Sequence, residues 1–360
     1  MELYLLWLSL IFESNYTLLQ QFLINHPTPE NLFSLQNTEE PFPEKVRFRF
    51  SFDALKKQAE REFEFCRKNN IHLISFLSQE YPINLQNAPS PPPILFYKGS
   101  LLPQDEVSIS IVGSRNYTPY GKAVTQKMAF ELASAGITVI SGMARGIDSF
   151  SHQSAISANG RTIAVLGSGI DVIYPSENRK LYEQIAENGA VFSEFPLHTA
   201  PISQNFPVRN RIVAGLSLGT LVIEAAKKSG TLITARLAAE AGREVYAVPG
   251  NICTPFSEGT NELIKDGAKI VTSAQDIISD LQHYLRQILP TPQKKIKKSP
   301  PPSLTPIERK VYNLLSLTPT PLDIIIQETQ IPASELLPLL TDMELSGYIK
   351  QLPGSNYIKE

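Results

Sequence analysis

Little in this chain supports a disulfide framework, a metal cluster or a membrane span. Two cysteines, Cys66 and Cys253, are too few and too far apart for a stapled scaffold, which fits a reducing cytoplasm. Five histidines stand singly, no two at ligand spacing, so no metal site is expected. Excess charge of one sign is missing too. The formal net charge is -2, so a nucleic-acid partner would have to meet a local patch rather than a global basic field. The opening MELYLLWLSLIF carries an apolar run of about ten residues, half of what a bilayer span needs. Glu2 and Glu13 bracket it, and it has neither a basic leading region nor a small-residue cleavage site. It reads as a buried helix, and no membrane association is expected.

What is present is an ordinary soluble balance, 42% apolar and 19% charged, over 360 residues. That length holds an α/β core with one or two small satellite domains. Residues 1–75 read as a small helical domain of the SAM or helix-hairpin-helix kind, with Ser14, Thr28 and Asp53 as candidate N-caps. IHLISFLSQEYPINL and the rigid stretch Pro89–Pro93 read as a connection, and ILFYKG as a strand. From Val107 the rhythm changes. VSISIVGSR is a nearly unbroken apolar run ending in glycine, as in a strand buried on both faces. A helix over roughly 120–135 follows, and the unit then repeats through ITVISGMARG, TIAVLGSG, AVFSEF, GTLVIEA, EVYAVPG and KIV. Such alternation predicts an α/β fold: an extended Rossmann-like, doubly wound parallel sheet over residues 76–285. Residues 286–302, rich in proline and lysine, read as a linker. Residues 303–360 read as a winged-helix domain, with capping boxes at Thr305 and Thr320 and a terminal hairpin, GYIKQLPGSNYIK.

Ligands of an open parallel sheet bind beyond the carboxyl ends of its strands. Here those ends carry Gly113-Ser114-Arg115, then Gly142 with Arg145 and Gly146, then Gly167-Ser168-Gly169, and later Lys227-Lys228-Ser229-Gly230-Thr231. Each glycine alone makes a tight turn. As a set, with Arg115, Arg145, Arg209 and Arg211 beside them, they predict a groove that binds phosphate through helix-start amides and guanidinium groups.

The absences narrow the ligand further. Gly121-Lys122 is followed by Ala123, so no GxxxxGK[ST] loop exists, and Val172 stands at the third glycine position of a would-be GxGxxG. No GxSxG elbow occurs. Asp148 and Glu194 have no evident catalytic partner; Asp148 reads as a cap or core polar group. His152 lies four residues on, where a local hydrogen bond is expected. No catalytic residue and no cofactor are expected. Many phosphate donors without reactive groups suit a polymeric phosphate that is held unchanged, as single-stranded DNA is. Phe195, Phe206 and Tyr174 lie at this rim, either as stacking platforms or as loop anchors.

SGMARGIDSFSHQSAISANGRTIAVLGSGIDVIYPSEN, FPVRNRIVAGLS and VIEAAKKSGTLITARLAAEAGREVYAVPG, together with the leading GSR and YG, closely resemble the DprA/Smf proteins of bacteria. The resemblance runs from about residue 92 to residue 280. It implies a Rossmann-like domain that binds single-stranded DNA without sequence preference, protects it and helps load a RecA-type recombinase in natural transformation. By that resemblance Gly113, Ser114 and Arg115 meet phosphate, with Arg115 the principal contact. Gly142, Arg145, Gly146, Arg209, Asn210, Arg211, Ser229, Gly230 and Thr231 line the same pocket. The YPSEN turn adds Asn178. Some relatives carry lysine where this chain has Ser176, so Arg179 or Lys180 is expected to supply the charge. The resemblance also implies a homodimer through the end of the Rossmann domain, with Ile264 and Ile270 as the apolar contacts; core packing is the other reading of each.

Two further expectations follow from the residues. The helix expected to recognise DNA in the winged-helix domain, PASELLPLLTDMELSG, carries Glu335, Asp342 and Glu344 and neither lysine nor arginine, which argues against duplex reading. The rival class is a nucleotide-processing, phosphoribohydrolase-like enzyme, because Gly219-Thr220 with Glu224 resembles part of that group's motif. Leu216-Ser217-Leu218 replaces its leading residues.

Overall fold

The computed structural model describes residues 2–12, 15–26, 42, 52–288, 304–315, 320–352 and 354–359. The expected linker falls almost wholly outside them, as do Ser14 and Thr28. The chain divides into two units, Met1–Leu289 and Pro290–Glu360.

The first unit is built on one sheet in the order β1-β2-β6-β5-β4-β3-β7-β8-β9. Its strands are β1 (Ile71–Ser75), β2 (Ile94–Gly99), β3 (Ser108–Val112), β4 (Thr138–Ser141), β5 (Thr162–Val165), β6 (Ala190–Ser193), β7 (Gly219–Val222), β8 (Glu244–Ala247) and β9 (Lys269–Ile270). From β6 across to β9 every pairing is parallel, which is the expected doubly wound core. Two additions lie at one edge. β2 pairs antiparallel with β6, and β1 antiparallel with β2. The IHLIS segment, expected to be a connection, is therefore the outermost strand. Its Ile71, Leu73, Ile74 and Ser75 are buried, a pattern too short to separate from a buried loop by periodicity.

Helices cover both faces. α5 (Pro119–Ser134), α6 (Ile147–Ser157) and α7 (Arg179–Asn188) connect β3 to β6, while α8 (Asn205–Leu216) and α9 (Gly230–Glu240) flank β7. The alternation of β3 explains the layering. Ile109 and Ile111 join Met128 and Leu132 of α5 in one core, while Val112 joins Ile212, Val213 and Leu216 of α8 in the other. Ser108 and Ser110 face α8 and donate to Leu216 O and Val213 O at 3.1 and 2.6 Å, so these buried hydroxyls are satisfied. α10 (Glu258–Lys265) and α11 (Ala274–Ile288) close the far edge.

The N-terminal helices α1 (Glu2–Phe12), α2 (Tyr16–Asn25) and α3 (Phe52–Lys68) share a core with β1 and β2. α1 is apolar nearly all round and is buried accordingly, as its sequence implied. Among the described residues no helix is long and apolar enough to cross a membrane. Asn15 caps α2, and Asp53 sits inside the first turn of α3 rather than at its cap. Cys66 and Cys253 are both free thiols.

The second unit has α12 (Pro306–Leu314), β10 (Thr320–Pro321), α13 (Leu322–Thr329), α14 (Ala333–Leu345), β11 (Ile349–Leu352) and β12 (Asn356–Lys359), with the strand order β10-β12-β11. Thr305 and Glu308 form the expected capping box. The second expected box does not form: Thr320 and Pro321 pair with β12 as a short strand, and α13 starts without a side-chain cap.

Candidate functional site

The strand order reverses between β3 and β7, because β3 leads outward through β4 to β6 and the chain then returns to β7 on its other side. This is the switch point where crevices open in doubly wound sheets. A cavity of about 610 Å³ lies there.

Its walls are the turns after the strands. Behind β3, Ser114 Oγ accepts from Asn116 N at 3.1 Å and donates to Asn116 O at 2.5 Å, which fixes a tight loop and presents Arg115 outward. Behind β4, the loop must pass beneath a buried arginine. A Cβ on Gly142 would come within 2.6 Å of the Arg209 guanidinium. Gly146 has φ +80° and faces Ser114 O, where a Cβ would sit at 2.6 Å, so only glycine fits the entry to α6. Behind β7, Ser229 caps α9 by accepting from Thr231 N at 3.2 Å. Gly230 there has open space in front of it. Ser229, Gly230 and Thr231 thus bring the start of α9 to the cavity, with Thr231 N and Leu232 N already donating to Ser229.

The cations differ in what they are free to do. Arg115 is exposed, and among the described residues no carboxylate lies within ion-pair distance of it. Its guanidinium lies 5.1 Å from the centre of the Phe206 ring, which supports it from below. Tyr174 flanks Phe206 at 5.7 Å. Arg209 is buried, and Nη1 donates to Gly142 O at 2.8 Å and closely to Val165 O. Burial lowers this guanidinium to about 10, which leaves it charged at neutral pH. It acts as a fixed positive charge in the floor.

Asp148, in the first turn of α6, accepts from Ala144 N at 3.3 Å, a helix-start role. Burial raises its carboxyl above the usual range while Arg209 pulls it back.

The structure brings Gly113, Ser114, Arg115, Gly142, Arg209, Asn210, Ser229, Gly230 and Thr231 to one cavity. Arg145 reaches a small adjoining pocket that it shares with Arg115 and Phe206. There it is held by Glu177 at 2.5 and 3.0 Å. Gly146 shapes the loop without lining the cavity. Asn178 is buried as a brace, donating to Met143 O and Ser149 Oγ at 2.9 Å each. Lys180 is exposed on α7 and lines neither pocket. Arg211 points elsewhere: it pairs closely with buried Glu194 and donates to Ser90 O at 2.9 Å. Phe195 is buried.

Asn116 and Thr234 also line the cavity and were not singled out from the sequence. Asn116 follows Arg115 directly, and Thr234 lies three residues after Thr231 on one helix face, so both signals were available.

His152 does not meet Asp148. Its Nδ1 bonds Thr162 Oγ1 at 2.6 Å, and that hydroxyl donates to Val139 O at 2.8 Å, so Nδ1 carries the proton. Burial lowers this histidine to about 3 and keeps it neutral. Glu224, the residue on which the enzyme reading depends, is buried. It accepts from Thr118 N at 3.0 Å and Thr118 Oγ1 at 2.5 Å, at the start of α5.

Residues 72–282 match the family model described as DNA recombination-mediator protein A, and residues 295–355 match the DprA winged helix domain. Protein Smf of Escherichia coli is 39% identical over 311 residues, 83% of each chain. DNA processing protein DprA of Bacillus subtilis is 44% identical over 216 residues, 60% of this chain and 73% of that one. Among solved structures, DprA from Streptococcus pneumoniae superposes with a TM-score of 0.64 at 32% identity, covering 78% of this chain and 98% of the other. DNA processing protein A from Helicobacter pylori, solved in a study of its single-stranded DNA binding mode, gives 0.53 at 32% identity, covering 59% and 96%. Family models matched over residues 72–282 and 295–355, with relatives at this identity along most of the chain, place this protein in the DprA/Smf family of DNA recombination mediators.

Proposed function

We propose that the crevice between β3 and β7 holds single-stranded DNA without sequence preference, and that the protein hands the strand to a RecA-type recombinase in the cytoplasm. The observation that carries this reading is Arg115. It is an exposed cation on an aromatic ring, and it lines one cavity with Ser229, Gly230, Thr231 and the buried charge of Arg209. A phosphodiester between Arg115 and Ser229–Thr231 would meet charge-assisted donors on both sides. The neighbouring Phe206 and Tyr174 rings offer base stacking, which is tolerant of sequence.

The groove has donors and no poised nucleophile. Asp148 and Glu224 are both committed to helix starts, so binding without chemistry is the fitting role. The presence of a single-stranded DNA study among its structural relatives supports the choice of ligand.

Fluorescence anisotropy of labelled oligo-dT across a salt series tests the proposal. Arg115→Ala should weaken binding about tenfold, as loss of one charge-assisted contact does. It should also reduce the log–log salt slope by roughly 0.7, the value for one single-strand phosphate. The same variant should lose the ability to speed RecA nucleation on that oligomer. A variant with wild-type affinity and slope would move the strand away from this crevice.

A further inference from the structure

A second large cavity, of about 500 Å³, opens on the face of β4, β5 and β6. It is lined by Leu101, Leu102, Pro103, Asp105 and Glu106, which precede β3, and by Leu216, which precedes β7. The DNA crevice is lined by the turns that follow those strands. The two sites are thus separated by about the length of β3, roughly 17 Å for five residues at 3.3–3.4 Å each.

The cause of the cavity is topological. Both crossover helices of this stretch, α6 and α7, lie on the opposite face. The near face of β4–β6 is covered by α8 and by the irregular segment between β1 and β2, which contains only the four-residue helix α4 (Ile83–Gln86). Ile140, Ile163 and Phe192 lie beneath the cavity and are buried, so the apolar surface open to a ligand is that of Leu77, Ile83 and Leu102.

The walls are braced. Gln86 Nε2 donates to Phe76 O at 2.7 Å, Tyr81 Oη to Pro92 O at 2.7 Å, and Asn84 Nδ2 to Glu106 O at 2.7 Å. The cavity is therefore preformed, and its volume is in the range that holds a ligand.

Two features of the mouth define what fits. Leu77, Ile83 and Leu102 stand around it, each more than two-fifths exposed, an unusual concentration of large apolar side chains in contact with water. The charge there is of one sign. Glu80, Asp105 and Glu106 line the cavity, and no lysine, arginine or histidine does. Asp105 is neutralised by Arg161 through two contacts of 2.8 Å. Glu80 and Glu106 remain exposed on the rim.

We propose that this cavity is a docking site for a partner protein, and that it takes a short segment with large apolar side chains flanked by lysine or arginine. The apolar side chains pack against Leu77, Ile83 and Leu102, and the flanking cations meet Glu80 and Glu106. Because the cavity and the crevice lie at opposite ends of the strands, a partner can dock while DNA is held.

The test uses the full chain and two fluorescein-labelled hexapeptides. One has a central leucine-phenylalanine pair with two lysines on each side; the other has glutamates in place of the lysines. Anisotropy should show binding of the lysine peptide only. Leu102→Arg should weaken it at least tenfold, and the Glu80→Gln/Glu106→Gln pair should weaken it severalfold and flatten its salt dependence. Oligo-dT binding should stay at the wild-type level in all these variants, which reports an intact fold. Equal binding of both peptides, no binding of either, or indifference to Leu102→Arg overturns the proposal. Binding of hexylammonium in the absence of peptide binding would also overturn it, in favour of a small amphiphilic cation.

Discussion

Single residues in this protein are constrained by what lies within a few ångströms of them, and two of them carry opposite expectations. A Cβ on Gly142 would strike the Arg209 guanidinium, and that group cannot withdraw because Gly142 O and Val165 O hold it in the core. Gly142→Ala should therefore cost about 2 kcal/mol, within the usual range for overpacking, and weaken oligo-dT binding by displacing the floor charge. Gly230→Ala, with nothing within 4 Å of the added carbon, should stay within about 0.5 kcal/mol of wild type. Urea unfolding of the two variants separates these outcomes.

Glu194 makes a pH prediction at the same scale. Burial pushes its carboxyl up to about 7, with the Arg211 guanidinium opposing. A carboxyl that binds its proton more tightly when folded contributes stability that is full below about pH 4.3 and is lost as pH rises through about 7. Glu194→Gln removes this loss. Its stability relative to wild type should improve by about 1–3 kcal/mol between pH 5 and pH 8, measured by chemical unfolding at both; a constant difference would mean that Arg211 fully compensates the buried charge.

At the scale of elements, the start of α5 shows how the sheet and its helices are locked together. Thr118 caps the helix by accepting from Gly121 N, and Glu224, just beyond β7, accepts from both Thr118 N and its hydroxyl. Glu224→Ala strands these donors and should lower stability by about 1–3 kcal/mol, seen as a lower melting temperature. Oligo-dT should still bind at temperatures where the variant is folded, because Glu224 does not line the crevice.

This element also shows what the sequence could convey. The strands from β3 to β7 were legible because strands buried on both faces read as apolar runs. The cavity at their ends followed from topology, and nine of the residues named for it meet there. What was not legible depended on partners distant in the chain. Arg209 and Arg211 look alike in FPVRNR, yet helical geometry sends one under the crevice and the other to Glu194. Asn178 looks like a ligand donor but is spent on Met143 O and Ser149. Thr320 has the signature of a cap and instead pairs with β12, where sheet hydrogen bonds outweigh a local one.

For the whole molecule, binding a long flexible strand favours more than one crevice. The sheet ends at β9, a two-residue edge strand in which Ile270 is exposed. Ile264 is half-buried on α10 just before it. An exposed, open edge is a place where a second copy can add. The resemblance implied a dimer with Ile264 and Ile270 as its apolar contacts; pairing there would give one DNA two crevices, and the second contact would form at high effective concentration. The winged-helix unit is not expected to read duplex DNA, because its α14 carries Glu335, Asp342 and Glu344 without a basic residue. Ile270→Glu should therefore convert a dimer into a monomer in sedimentation velocity. Because 56% of Ile270 is exposed, the fold should survive the change. Affinity for an oligo-dT short enough to fill one crevice should be unchanged, while affinity for a long one should fall by about 10²-fold or more, the gain that linked sites provide. Equal loss on short and long strands would place Ile270 in the support of the crevice itself. A monomeric wild type would leave each crevice to act alone, and the length dependence would then have to come from a single continuous track along one chain.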